Sequence, residues 1–481
     1  MKNTATPFPA ALRAQRRSLL WRIHFWAALI ASPVALLAAL SGILYIFTPQ
    51  IEDALYGHLE QVAPAGEVRS LDALVQVAQQ AAPAGWVLHS VVPAHGATDS
   101  LQVAFVPPPK AAAQAKASGG GHSSHGDHGA ANLVNGPTVA KGATVGEGGA
   151  LAKPAAFLRP SFGFPGRAQV VYLNPYTAEV LGSLVQEDRF SNWSRKLHSN
   201  YLQNDNWRWL LELAASWLMV MLVTGIYLWW PQRKPTLPQS SARGRVAWKQ
   251  WHAFVGVALS VMSAVILTTG LTWSKYAGDQ VKWLRDISGQ APPRISASIQ
   301  SEAVQAPLLS WQDAWQAARR EAPDVSMQLM PPKGVQGVWR ANQMDKSQPE
   351  KRFDLLLDAY SGQRLYYSGW SEQTAFGKAT AIGIPFHRGE FGLWNQALLL
   401  VFGVGVVFSI VTGWVMYFKR RVHGYTGLPV LAAGAWKSVH PGALVATLGM
   451  FALMPLLALS SAVVLALEGF WWWRAKAVTK A

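Results

Sequence analysis

Five apolar runs, each near the roughly 20 residues a helix needs to cross a bilayer, decide what this chain can fold into. They cover roughly 20–47, 208–230, 251–273, 394–418 and 443–467. Two long hydrophilic segments separate them, roughly 49–207 and 274–390. The first run is too long for a signal-peptide core of about 7–15 residues, so it reads as a retained anchor. Aromatic residues crowd the ends of the runs (Tyr45, Trp207, Trp209, Tyr227, Trp229, Trp230, Trp273, Trp394 and Tyr417), as an interfacial belt requires.

Charge sets the topology. The chain of 481 residues carries a net charge of +16. Arg13, Arg16, Arg17 and Arg22 precede or open the first run. Arg233, Lys234, Arg243, Arg245 and Lys249 fill the loop after the second, and Lys419, Arg420 and Arg421 follow the fourth. Short basic loops stay in the cytoplasm, so the excess reports orientation and argues against nucleic acid as a partner. Both hydrophilic segments are then expected on the opposite side, the periplasm of a Gram-negative bacterium. A single fifth helix would leave Arg474, Lys476 and Lys480 outside, against this trend. The chain has no cysteine, which excludes disulfides, thiolate-held clusters, covalently attached haem and thiol catalysis.

The sequence repeats itself. Leu71–Pro83 matches Trp311–Pro323, each behind a serine (Ser70, Ser310) placed to cap a helix. Asn174-Pro-Tyr-Thr-Ala-Glu-Val-Leu181 matches Asp358-Ala-Tyr-Ser-Gly-Gln-Arg-Leu365, and both read as strand, turn, strand. Each hydrophilic segment is expected to be a small α+β domain, and the two halves to be parallel repeats. The fold class expected is a membrane-spanning, mainly α-helical bundle of four repeat-related helices plus a fifth, with two α+β outer domains. The boundaries are a start and first helix over 1–48, a first outer domain over 49–207, a second helix and basic loop over 208–250, and a third helix over 251–273. A second outer domain over 274–393, a fourth helix over 394–418, a loop over 419–442 and a fifth helix with tail over 443–481 complete it. Residues 107–155 are a low-complexity insertion in which His122, His125 and His128 form a weak metal-binding candidate.

Four histidines keep step with the repeat. His24 lies eighteen residues before Gly42, and His252 eighteen before Gly270. His198 precedes Thr224-Gly225, and His387 precedes Thr412-Gly413, at nearly equal spacing. Eighteen helical residues rise about 27 Å in five turns, so histidine and glycine share a face near opposite surfaces of the bilayer. Histidines at membrane depth are costly without strong partners. Two helices offering one imidazole each at one level can hold one iron, which gives an inner pair, His24 with His252, and an outer pair, His198 with His387. Two non-covalent b-type haems follow, with glycines clearing room for the rings. Bis-imidazole ligation fills both axial positions and favours electron transfer. Arg195 and Arg388 are candidate propionate partners or interfacial arginines, His440 is a second choice of inner ligand, and Glu212 is an interfacial carboxylate or a candidate proton or quinol group.

Leu20-Trp-Arg-Ile-His24-Phe-Trp, Arg195-Lys-Leu-His198, Trp248-Lys-Gln-Trp-His252-Ala-Phe-Val-Gly256 and Pro385-Phe-His387-Arg-Gly-Glu-Phe-Gly392, with the duplicated helix–sheet segments, resemble the PepSY-associated transmembrane family over roughly 15–420. The resemblance implies PepSY-like outer domains, an inner-membrane location, two b-type haems on these four histidines, and reduction of ferric siderophores that releases ferrous iron for uptake. A cytoplasmic reductase or membrane quinol would supply the electron, and the chelate would dock between the outer domains. Two other readings stay open: a haem-bearing subunit of another periplasmic oxidoreductase, and a non-enzymatic regulator whose PepSY domains bind a protease.

Overall fold

The computed structural model describes residues 10–108, 163–230, 237–302, 305–420 and 428–478. They form two compact units: Met1–Phe47, Ser194–Ser288 and His387–Ala481 in one, Thr48–Trp193 and Gly289–Phe386 in the other. The insertion at 107–155, with His122, His125 and His128, lies almost wholly outside the described residues.

In chain order the helices are α1 (Ala10–Ile46), α2 (Thr48–Glu60), α3 (Leu71–Ala81), α4 (Phe190–Asn200), α5 (Arg208–Trp229), α6 (Gly244–Ala258) and α7 (Ser260–Leu271). They continue as α8 (Tyr276–Ile287), α9 (Trp311–Glu321), α10 (Ala375–Arg388), α11 (Leu393–Arg420), α12 (Pro441–Leu453) and α13 (Pro455–Val478). The strands are β1 (Val87–Val92), β2 (Leu101–Val106), β3 (Gln169–Leu173), β4 (Val180–Val185), β5 (Met327–Met330), β6 (Val338–Gln343), β7 (Asp354–Asp358) and β8 (Arg364–Ser368).

The first unit is a membrane bundle. Ala11–Ile46, Asp205–Trp229, Leu393–Arg420 and Pro455–Arg474 are each long and apolar enough to cross a bilayer, and α6 with α7 adds a span broken by a 59° bend. The chain is a membrane protein. The helices form a ring: α1 packs on α5 and α11, α6 on α11, and α7 on α5. Small residues permit this closeness, with Ile43 filling the gap at Gly403 and Trp414 Nε1 donating to Ser32 Oγ at 3.0 Å.

Two spans depart from the sequence reading. The expected straight helix over 251–273 bends at Leu259, whose side chain packs into the gap left by Gly405 of α11. The expected fifth helix over 443–467 is two helices, because Pro455 has no N–H to continue α12 and opens α13 instead. Helix α13 then runs back towards the start of α1. Ser460 accepts a hydrogen bond from Trp217 Nε1 (3.0 Å), and eight residues on Glu468 pairs with Arg22 (2.7 Å) and accepts from Trp26 Nε1 (2.6 Å). Trp26 and Trp471 stack with centroids 5.9 Å apart. Arg474 is thereby returned to the end of the bundle where α1 begins, and the expected conflict with the basic-loop rule disappears.

Glu212 also differs from its expected role. It is 1 % exposed, and its two oxygens accept the backbone N–H groups of Tyr276 and Ala277, each at 2.8 Å. It satisfies the orphan donors at the N-terminus of α8, a helix that the sequence reading assigned to the second outer domain.

The second unit corrects the expectation of two separate outer domains. Its strands make one eight-stranded antiparallel sheet in the order β4-β3-β2-β1-β5-β6-β7-β8. The halves join where Val91 of β1 registers with Leu329 of β5, so neither half keeps an open inner edge. Their helices cap one another. Asp72 accepts from the backbone N–H of Trp311 (2.8 Å) and Gln312 (3.3 Å), and Gln312 Oε1 accepts from Leu71 N–H (2.9 Å). Trp311 and Trp315 pack against the apolar cores of both halves. The seam expected to receive a chelate is therefore filled by backbone pairing, capping and two indoles.

Local readings hold inside each half. Ser70 and Ser310 cap α3 and α9, and Asn174 and Asp358 each accept two turn N–H groups between their strands. Helix α2 is fixed by Arg189, which pairs with Glu52 (2.7 Å) and Glu60 (2.8 Å) and donates to Tyr172 Oη (3.1 Å). Burial alone would raise the Glu52 carboxyl, but the Arg189 and Ser191 hydrogen bonds outweigh it and hold the group below the ordinary carboxylate range.

Candidate functional site

The four repeat-spaced histidines all lie inside the membrane unit, and each is held by the [Ser/Thr]-Gly pair of a neighbouring helix. His24 Nδ1 lies 3.0 Å from Thr224 Oγ1, and His198 Nδ1 lies 3.1 Å from Ser41 Oγ. In the second half, His252 Nδ1 is 3.0 Å from Thr412 Oγ1, and His387 Nδ1 is 2.9 Å from Thr269 Oγ1. Each half thus closes on itself through a reciprocal exchange. In the first half α1 offers both His24 and Ser41, while Thr224 lies on α5 and His198 on α4 just before it. In the second half His252 and Thr269 lie on α6 and α7, and His387 and Thr412 on α10 and α11.

The glycine beside each hydroxyl makes this approach possible. A Cβ at Gly225 would lie 3.2 Å from His24 Cε1, at Gly42 3.3 Å from His198 Cε1, at Gly270 3.5 Å from His387 Cε1 and at Gly413 3.8 Å from His252 Cε1. In the structure the imidazole edge lies against each of these glycines.

Across the halves the rings meet by level. His24 and His252 lie within electrostatic reach of each other, as do His198 and His387. Among the described residues, every hydrogen bond made by these four rings is made through Nδ1. The four Nε2 atoms take no part in these hydrogen bonds. No group of three or more His, Cys, Asp or Glu side chains suited to a metal ion occurs among the described residues. A metal held here by two imidazoles must bring its remaining ligands with it, as an iron porphyrin does.

Aromatic and polar neighbours differ between the levels. Trp21 stacks beside His24, with centroids 6.3 Å apart and planes at 11°. Trp273 meets His387 edge-on at 5.8 Å, and its Nε1 is buried with no hydrogen-bond partner. Three residues past His198, Tyr201 and Leu202 hold left-handed backbone at φ 57° and 62°, and the Tyr201 hydroxyl is likewise buried and unpartnered. Strain of about 1–3 kcal/mol per such residue persists where the surroundings over-determine it, often at a ligand site.

Chain-wide comparison agrees with the motifs around these histidines. The model of the PepSY-associated TM region matches residues 21–420. The chain belongs to that family. No curated protein matches it. The PepSY-associated match spans all four histidines and their four hydroxyl partners, and it stops before α12 and α13.

The other expected site residues are placed elsewhere. His440 is exposed and accepts the Gly442 N–H at 3.1 Å as the N-cap of α12, so its Nδ1 is committed to a helix start. Arg388 donates from Nε to Tyr45 Oη (2.9 Å) and pairs with Glu390 (2.9 Å). Arg195 shares an electrostatic neighbourhood with Tyr45, Arg388, Asp205 and Arg208. The sequence reading missed Ser41, Thr224, Thr269 and Thr412 as partners, although their position beside each repeated glycine was the available signal. It also missed the unpartnered donors on Trp273 and Tyr201, which no sequence pattern marks.

Proposed function

We propose that this protein is an inner-membrane electron-transfer protein that holds two b-type haems and reduces ferric siderophores or other ferric chelates on the periplasmic side. The observation that carries this reading is the pairing of imidazoles by level, each ring bonded through Nδ1 alone. His24 and His252 would hold the inner haem, His198 and His387 the outer. When bound, such haems would supply one-electron transfer. The halves that supply the ligands are read as a duplicated unit, and the sheet unit as two fused PepSY domains facing the periplasm.

The remaining work belongs to the chain's own side chains. Thr224, Thr412, Ser41 and Thr269 orient the rings, and apolar helix surfaces exclude water from between them. Trp273 Nε1 and Tyr201 Oη, buried donors beside the outer pair, join Arg195 and Arg388 as candidates for the outer haem's carboxylates. No nucleophile or general base is required, since ferrous iron is held far more weakly than ferric iron by hard oxygen ligands. The electron source is a cytoplasmic reductase or a membrane quinol.

The test uses the full chain purified in detergent after expression with ample haem supply. Two haems per chain and a b-type band in the reduced-minus-oxidised spectrum are expected, with rapid reoxidation on adding a ferric hydroxamate or catecholate. A colourless protein would overturn the reading. Bound haem that ferric chelates do not reoxidise would instead favour a haem subunit of another oxidoreductase.

A further inference from the structure

We infer that Ser41, Thr224, Thr269 and Thr412 are positioning residues that fix the tautomer of the four histidines, each hydroxyl accepting the Nδ1 proton so that Nε2 faces the iron unprotonated. The inference rests on the haem reading above and deepens it.

The argument is a count of protons. A hydroxyl has one proton to give. Ser41 Oγ directs its proton to Leu37 O (2.7 Å), Thr224 to Val220 O (2.8 Å), Thr269 to Val265 O (2.8 Å) and Thr412 to Ser409 O (3.0 Å). Backbone carbonyls only accept, so the hydroxyl proton is spent within its own helix. The hydroxyl oxygen can therefore meet the imidazole only as an acceptor, and Nδ1 must carry the proton. A second acceptor reinforces this choice: the carbonyl three residues before each hydroxyl (Ala38, Met221, Ile266, Ser409) also bonds its ring. For His252 that carbonyl stands 3.1 Å from Nδ1.

The same device occurs four times, and it crosses levels. Helix α1 carries an inner ligand, His24, and the acceptor for an outer one, Ser41. Helix α5 carries the acceptor for His24, and α4 just before it carries His198. The second half repeats the exchange with α6–α7 and α10–α11. The chain thus pre-orients each ring within its own half, and the metal is left to join the halves. Accepting from Nδ1–H also makes an imidazole a stronger donor to iron, and loss of such partners typically weakens metal binding about 10–100-fold.

Thr224→Val keeps the side-chain shape and removes the acceptor. The expected result is haem affinity about 10–100-fold weaker at the inner site alone, a more positive inner midpoint potential and an altered low-spin electron paramagnetic resonance signal. Thr224→Ser should restore all three. A graded set checks the geometry: Gly225→Ala and Gly42→Ala should disturb the inner and outer haem signals respectively, whereas Gly413→Ala should not. Unchanged affinity, potential and resonance in Thr224→Val would overturn the inference, as would equal damage from the valine and serine variants.

If the wild type binds no haem, the proposed function falls, and the tautomer can still be read separately. Nitrogen-15 resonances of labelled histidine in the haem-free protein should report protonated Nδ1 and bare Nε2 for His24, with mixed tautomers in Thr224→Val. A wild-type ring protonated at Nε2 would sink the positioning role on its own.

Discussion

In each compact unit an earlier and a later part of the chain meet, and the two units join them by opposite means. In the sheet unit the halves share a strand pairing at Val91 and Leu329, and Asp72 and Gln312 cap the facing helices across the seam. Every polar group just named is satisfied by protein. In the membrane unit the hydrogen bonds of the histidines stay within each half, and across the halves the imidazoles lie within electrostatic reach of one another. The difference teaches where to look for a ligand. A seam closed by its own hydrogen bonds is structural, whereas a seam lined by lone pairs without partners calls for a third party.

Variants can break this contrast. The largest effect is expected from the imidazoles: His198→Ala or His387→Ala should remove the outer haem and spare the inner, and His24→Ala or His252→Ala the reverse. Haem counting on the four variants decides it, and loss of both haems from any one, without unfolding, would undo the pairing by level.

Next comes the anchor of α13. Glu468→Ala leaves Arg22 and Trp26 Nε1 without their carboxylate, in a pair whose side chains are only 14–15 % exposed. A loss of about 3 kcal/mol is expected, read as a lower unfolding midpoint in detergent. An unchanged midpoint would mean that α13 is held by apolar packing alone.

Asp72→Ala tests the seam of the sheet unit. It removes the acceptor for two N–H groups of α9, which should cost about 1–3 kcal/mol, with no change in haem content or potential. A haem effect from this substitution would contradict the separation of roles drawn above.

The smallest effect concerns pH. Burial, then the charges of Lys333 and Arg340, push His89 of β1 down from 6.5 to about 4. Folded His89 is therefore neutral where the unfolded chain would take up a proton. Its contribution is complete above about pH 6.5, is lost progressively as pH falls towards 4, and changes no further below that. The full shift would be worth about 3 kcal/mol, and because the ring is only part-buried and screened by solvent the loss should be smaller, on the order of 1 kcal/mol. His89→Gln should flatten the midpoint between pH 7 and 4 relative to wild type, and equal slopes for both proteins would remove this assignment.

Much of the molecule was legible in the sequence. Three straight spans, the capping serines and the turn residues Asn174 and Asp358 follow from local rules of hydropathy and capping. Where reading failed, a distant group had intervened. Leu259 bends the third span because Gly405 of another helix leaves room for it. Glu212 is taken up by the two backbone N–H groups that open α8. His440, the second choice of inner ligand, gives its Nδ1 to the N–H of Gly442 at a helix start.

The sequence by itself determined a membrane protein of the PepSY-associated family, because hydropathy, charge and helical rise act along the chain. Tertiary structure alone decided that the outer segments fuse into one sheet, that α13 turns back to Arg22, and that each histidine spends its Nδ1 on a hydroxyl of a neighbouring helix. Those outcomes depend on which donor finds which acceptor across hundreds of residues, and no local pattern encodes that choice.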